Sequence, residues 1–230
     1  MQGTLTLIPT PIDEENPLEQ VACALLKKAA LEERENSVFV IEELKIGRQR
    51  WLRFGLPREC VDSFVLLNEH NAQTVSSELL KELKQGKNVY VMSDGGLPAF
   101  CDPGRDLVDL CHKNKVKVTS TPFANSISLA LAMSGFPHSR FVFEGFLPAK
   151  TEERQEVIKN ILNEKRAVIM MDTPYRLKKT LEDLSQSNRE IFLGLDLNAK
   201  TEELYRGKAK EILSKLSETK REFILILAPL

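Results

Sequence analysis

Short apolar runs separated by amphipathic stretches recur from one end of the chain to the other. TLTLIP (Thr4 to Pro9) is an apolar run closed by a proline turn, which predicts a first strand. Asn16-Pro17 then supplies an N-cap followed by proline at the first helical position. Leu18, Val21, Ala22, Leu25 and Leu26 recur at the i, i+3/i+4 spacing of a helix with one stripe facing a core. SVFVIEE and SFVLL predict the next strands, with a basic segment between them, and Ser76 to Lys84 predicts an amphipathic helix that Gly86 terminates. NVYVMSD is almost continuously apolar, as in a strand buried on both faces of a parallel sheet. VKVTS and FVFEGF follow the same pattern, then RAVIMMD, EIFLGLDL and REFILILAPL, with helices predicted over Glu152 to Asn163 and Tyr175 to Ser185. Strict alternation of strand and helix predicts an α/β fold. The Ser134-Gly135-Phe136-Pro137 turn is the expected seam between two lobes, residues 1–137 and 138–230.

A chain of 230 residues, 42% hydrophobic and 28% charged, can bury a core in each of two such lobes. Its formal net charge of -1 lacks the basic bias of a nucleic-acid binder, so any such role needs a local patch. KIGRQRWLRFG offers one: Lys45, Arg48, Arg50 and Arg53 surround Trp51, and cations interleaved with an aromatic suit a phosphate backbone and a stacked base. The alternative is a solvated helix face with Trp51 in the core or at a dimer interface. Cys23, Cys60, Cys101 and Cys111 have no CxxC spacing and His70, His112 and His138 no HxxxH spacing, so neither a metal site nor a disulfide framework is expected. No apolar stretch approaches the roughly 20 residues of a membrane span, and no leader pattern opens the chain, which makes the cytoplasm the expected location. No GxGxxG follows a strand and opens a helix, which argues against a Rossmann dehydrogenase, and the lack of GxxxxGK[ST] excludes a P-loop NTPase.

Three segments carry candidate chemistry. SDGGLPAFCDPG (Ser93 to Gly104) begins where a buried strand ends, the usual place for ligands in open α/β sheets. Its glycines allow close backbone approach, Asp94 is placed to accept from a ribose or amino group, and Asp102 either faces the ligand or caps a helix starting at Pro103. TSTPFANSIS (Thr119 to Ser128) lies at a second strand end, where Asn125 and Ser126 either bind a ligand or cap a helix. Glu42 and Glu43 follow the second strand, as a general base or as a solvated pair favoured at a helix start.

These segments, with LIPTPI (Leu7 to Ile12), IEELKIGRQRWL (Ile41 to Leu52), ALAMSGFPHSRFVFEGFLPAK (Ala130 to Lys150), MDTPYRL (Met171 to Leu177) and EELYRG (Glu202 to Gly207), form an ordered set covering nearly the whole chain. The set resembles the tetrapyrrole methylase superfamily, the class III S-adenosyl-L-methionine (SAM)-dependent methyltransferases. Within it the chain is most similar to the branch of bacterial enzymes that 2′-O-methylate a cytidine of small-subunit ribosomal RNA. The resemblance implies two α/β lobes with SAM in the interlobe cleft, a homodimer, and methyl transfer to ribosomal RNA. Block by block, it implies cofactor contacts at Pro11, Ser93, Asp94, Gly95, Pro98, Asn125, Ser126, Met171, Asp172 and Ala199, largely through backbone groups. Glu42 and Glu43 remain the candidate bases, and Arg48, Arg50 and Arg53 the candidate RNA contacts.

The sequence departs from the family pattern in four places, one of them a lysine expected just before the last acidic block that is shifted, with Ala199 and Lys200 in its neighbourhood. Asp13-Glu14 replaces a Gly-Asn, Ile41-Glu42-Glu43-Leu44-Lys45 keeps the acidic pair of its block but not the threonine, and Phe123 follows Pro122 where the family has glycine. Two alternatives stay open. A tetrapyrrole-like or other small acceptor would be favoured by an apolar cleft lined by Phe100, Phe123 and Phe146. A non-catalytic member would bind only a nucleotide-like ligand or a partner protein.

Overall fold

A computed structural model describes residues 2–100, 102–123 and 125–230. The chain divides into two compact units, Met1–Phe123 and Ala124–Leu230.

The first unit runs β1 (Thr4–Ile8), α1 (Gln20–Leu31), β2 (Ser37–Ile41), α2 (Leu44–Arg53), β3 (Val65–Leu66), α3 (Ala72–Lys84), β4 (Asn88–Met92), α4 (Arg105–Lys113) and β5 (Lys117–Ser120). The strands form one parallel sheet in the order β3-β2-β4-β1-β5. Along β4, Tyr90 and Met92 enter one apolar cluster with Ile8, Phe39, Ile41 and Trp51, while Val89 and Val91 enter another with Leu5, Val40 and Leu107. Alternate side chains therefore reach two cores, which is why the run reads as continuously apolar. The same expectation fails for β5, an edge strand whose Lys117, Thr119 and Ser120 are exposed. A Cβ at Gly47 would lie 2.7 Å from Ile41 Cδ1, so glycine is what lets α2 lie directly on β2.

Helix α1 starts later than its sequence signals suggest. Glu19 is its cap, accepting from the Ala22 N–H at 3.0 Å. Asn16 instead closes a turn on Asp13, whose Oδ1 accepts from the N–H groups of Glu15 and Asn16, both at 2.7 Å. The stripe holds for Leu18, Ala22 and Leu26, but Val21 is exposed.

The second unit contains α5 (Ser126–Ser134), β6 (Phe141–Phe146), α6 (Thr151–Asn163), β7 (Ala167–Met171), α7 (Leu177–Leu184), β8 (Glu190–Leu195), β9 (Glu203–Lys208), α8 (Ala209–Lys215) and β10 (Phe223–Leu227). Its sheet order is β6-β7-β10-β8-β9; β6 pairs parallel with β7 and the other pairs are antiparallel. Strict alternation of strand and helix breaks here, because β8 and β9 are sequential antiparallel neighbours. The side chains of β7, β8 and β10 fill the core with Ile158, Ile161, Leu177 and Leu181. FVFEGF is not doubly buried: β6 is an edge strand, and Phe141 and Phe146 are exposed. Helix α5 packs on β10 and β8, so it belongs to the second unit and the seam precedes it instead of following Pro137. No helix of the described residues is long and apolar enough to cross a membrane.

Candidate active site

In the first unit the loops leaving the carboxyl ends of β1 and β4 are joined. Thr10 and Gly96 exchange backbone hydrogen bonds, Thr10 N–H to Gly96 O at 2.9 Å and Gly96 N–H to Thr10 O at 3.0 Å. The buried Ser93 hydroxyl donates to the Gly96 carbonyl at 2.6 Å, and the Thr10 hydroxyl to the Ser93 carbonyl at 3.1 Å. Gly96 takes φ 97°, which a side chain would oppose, and Ala99 is held at φ 64° although it is not glycine. The Ser93 side chain thus shapes the loop. Within that loop Pro98 is buried and Gly95 is exposed.

Arg50 reaches back from α2 and donates to the Pro11 carbonyl at 2.8 Å. Burial, and then the charge of Arg53, lower its pKa. This side chain holds the β1 loop in place and is not a free phosphate contact. Arg48 is likewise engaged, by the Val61 carbonyl and by Asp62, each at 3.3 Å. Trp51 is fully buried, donates to the Pro57 carbonyl at 2.7 Å, and packs edge-on to Phe39 and Phe64, so it stacks on no ligand base. Among the three arginines only Arg53 is exposed, touching the Asn16 carbonyl at 3.5 Å and lying over the Phe54 ring. The acidic replacement in the first loop is also partly internal. Burial alone would raise the pKa of Asp13, but the hydrogen bonds from Asn16 and Glu15 outweigh it and hold the carboxyl below its ordinary range.

A cavity of about 810 Å³ opens beside these loops, lined by Glu42, Glu43, Asp94, Ala99, Asp102 and Arg105 among others. Glu42 Oε2 accepts from the Asp94 N–H at 3.0 Å, which links the ends of β2 and β4. Burial raises the Glu42 pKa, an effect partly offset by that hydrogen bond. Burial and then the Glu42 charge push Asp94 up to about 6; burial, then the charges of Glu42 and Asp94, push Asp102 to about 7. Asp94 Oδ1 is buried without a hydrogen-bond partner. Glu43, by contrast, is exposed at the start of α2 and caps it with no side-chain bond. Asp102 is not a helix cap: α4 begins at Arg105, with Gly104 as its cap. Cys101 lies outside the described residues.

The second unit places its candidate residues on three loops. Asn125 Oδ1 accepts from the Ser128 N–H at 2.9 Å, so its side chain caps α5, at whose first position Ser126 stands. Met171 ends β7, and the adjoining Asp172 is buried in a network that the sequence did not announce. Arg154 donates from Nη1 to Asp172 Oδ2 at 2.7 Å, from Nε to Asp183 Oδ2 at 2.7 Å and from Nη2 to the Thr180 hydroxyl at 2.8 Å. Thr180 donates onward to Asp172 Oδ2 at 3.1 Å. Arg154 shares its helix face with Ile158 and Ile161, so a lone arginine on an apolar stripe was the available signal. Ala199 sits in a turn, donating to the Asp196 carbonyl at 3.0 Å. The largely buried Arg221 fastens that turn to Asp196 at 2.9 Å, to Glu203 and to the Thr201 carbonyl.

A family model described as Tetrapyrrole (Corrin/Porphyrin) Methylases matches residues 4–213. The chain belongs to the tetrapyrrole methylase family. Ribosomal RNA small subunit methyltransferase I of Thermotoga maritima is 31% identical over 220 residues, covering 95% of this chain and 94% of the relative. The protein of the same name from Halalkalibacterium halodurans is 31% identical, covering 98% of this chain and 76% of the relative. Among solved structures, a diphthine synthase matches with a TM-score of 0.70 at 12% identity, over 98% of this chain and 90% of that one. A uroporphyrin III C-methyl transferase from Thermus thermophilus matches with a TM-score of 0.60 at 17% identity, over 98% and 97%. At those identities the solved structures attest the fold. As a tetrapyrrole methylase, the chain is a SAM-dependent methyltransferase with two α/β domains. The partnerless Asp94 Oδ1 fits that donor, since it is an acceptor placed for a ribose hydroxyl or an amino group.

Proposed function

We propose that this enzyme transfers the methyl group of SAM to a ribose 2′-hydroxyl of small-subunit ribosomal RNA, acting as a cytoplasmic homodimer. The acceptor class rests on likeness along almost the entire chain to enzymes named for that RNA. Pairing of two copies is supported by the exposed Phe141 and Phe146 on edge strand β6.

SAM supplies the methyl group on a positively charged sulfur. Alignment is the protein's main task, and holding two reactants in an attack geometry can contribute roughly 7–11 kcal/mol. The Thr10–Gly96 bridge and the Arg50–Pro11 contact fix the loops that would carry out that alignment. Asp94 Oδ1 binds the donor, together with backbone groups of the first unit near Pro11, Gly95 and Pro98. A ribose hydroxyl must also lose a proton. Asp102, at about 7, has the affinity a general base needs near neutral pH, held there by burial and by the charge of Glu42 on the same cavity wall. Exposed Glu43 is the weaker candidate.

The test is calorimetry with SAM and S-adenosylhomocysteine, followed by transfer of labelled methyl to unmethylated small ribosomal subunits. Micromolar binding, weakened about tenfold by Asp94→Ala, is expected. Labelled RNA that resists nuclease only at one 2′-O-methylated linkage would identify the acceptor. Binding without transfer to any RNA would defeat the ribosomal assignment.

A further inference from the structure

We propose that Tyr175 is a stacking platform for an unpaired base of the RNA acceptor, a role that rests on the RNA reading above. It lies in MDTPYRL, just after the end of β7. The ring is 75% exposed, the highest value among the large apolar side chains of the described residues. Ordinary packing therefore does not account for an aromatic residue here.

The ring is also presented rigidly. It occupies a single 3-10 turn, Pro174–Arg176, closed by the Arg176 N–H on the Thr173 carbonyl at 2.9 Å. Asp172 Oδ1 accepts from the Thr173 N–H at 2.9 Å and pairs with Arg176 at 3.4 Å, while its other oxygen is held by the buried Arg154. Both flanks of Tyr175 are thus tied to one immobile carboxylate. A fixed aromatic with two side-chain torsions loses little freedom when it binds, which is the property a recognition anchor needs.

The surroundings suit a nucleic acid base. The Lys220 ammonium lies 4.5 Å from the ring centroid over one face, a cation placed for a neighbouring phosphate. Beside the ring is a groove of about 740 Å³ lined by Pro174, Thr201, Ser217, Glu218 and Lys220 among others. Two of its acidic groups, Asp196 and Glu203, are already paired with Arg221, so they do not oppose an RNA strand in full. Sequence-specific RNA recognition relies on unstacked bases laid on aromatic faces, with hydrogen bonds to their edges. Tyr175 supplies the face, and Thr201, Ser217 and Glu218 the edge partners.

The experiment measures methyl transfer to unmethylated small ribosomal subunits by the full-length protein, its Tyr175→Ala and Tyr175→Phe variants, and Lys220→Ala. S-Adenosylhomocysteine affinity is measured in parallel. Tyr175→Ala should raise the acceptor KM about tenfold, the scale of one lost base stack. Tyr175→Phe should stay within about twofold of the parent because the ring face is retained, and Lys220→Ala should raise KM about threefold with a weaker salt dependence. S-Adenosylhomocysteine affinity and thermal midpoint should not move in any variant. An acceptor KM for Tyr175→Ala equal to the parent's, with transfer intact, overturns the platform while leaving the RNA reading in place. A parent protein that transfers no methyl to RNA overturns both.

Discussion

The two units treat buried carboxylates in opposite ways. In the second, Asp172 and Asp183 are held by Arg154, and Asp196 by Arg221, so each negative charge meets a guanidinium at 2.7–2.9 Å. In the first, Glu42, Asp94 and Asp102 crowd one cavity with no such pairing: Arg105, which also lines it, is paired with Asp106, and Arg50 is directed at a carbonyl. The consequence appears in the acidities: burial and mutual repulsion push Asp94 to about 6 and Asp102 to about 7. Neutralised carboxylates are scaffold. Carboxylates left without a counter-charge cost stability, and that cost is characteristic of groups kept for chemistry.

Removing the counter-charge should hurt the second unit most. Arg154→Met leaves Asp172 and Asp183 with only the more exposed Arg176 and Lys179 as counter-charges and is expected to lower unfolding free energy by about 3–5 kcal/mol in urea titration. A loss below about 1 kcal/mol would erase the contrast. In the first unit the effect should fall on rate instead. Asp102→Asn is expected to lower kcat about a hundredfold or more, with S-adenosylhomocysteine affinity retained and stability at neutral pH slightly raised. Equal turnover by the variant would return the proton to Glu42 or to solvent.

Acidity offers a finer probe. A carboxyl whose pKa is higher folded than unfolded binds more protons when folded, so stability declines as pH rises from the unfolded value near 4 toward the folded value near 7. These groups are partly solvated, so the decline is modest. The thermal midpoint should fall by about 2–4 °C between pH 5 and pH 8, and Asp102→Asn should flatten most of that fall. A midpoint that rises over the same interval would contradict the assignment. The smallest effect is reserved for exposed Arg53, whose change to alanine should weaken RNA binding about twofold and leave the fold untouched.

Much of this architecture was legible in the chain. The apolar runs gave nine of the strands, and NVYVMSD was identifiable as a doubly buried strand because both of its faces carry apolar groups. Edge strands β5 and β6 misled because side-chain polarity along a strand does not say whether a neighbour exists on its outer side. At the site, the strand-end loops and Asp94 could be found from glycines and position. The tasks of Arg48 and Arg50 could not, since spacing along a helix does not reveal that a guanidinium turns back onto a carbonyl thirty-nine residues away in sequence. Asp102 was legible as a residue of the loop but not as a perturbed acid, which requires knowing that Glu42 arrives from another strand.

The sheet order of the first unit also constrains how the protein is made. Strand β1 pairs only with β4 and β5, and β2 pairs with β4 on one side and the two-residue β3 on the other. Synthesis from the amino end therefore leaves β1 without a partner until Asn88 and its successors emerge, when β4 must slot between two waiting strands. Residues 1–87 alone cannot complete this sheet. Ribosome-tethered chains ending near residue 85 should accordingly remain open to protease, and those extended well past β5 should resist it.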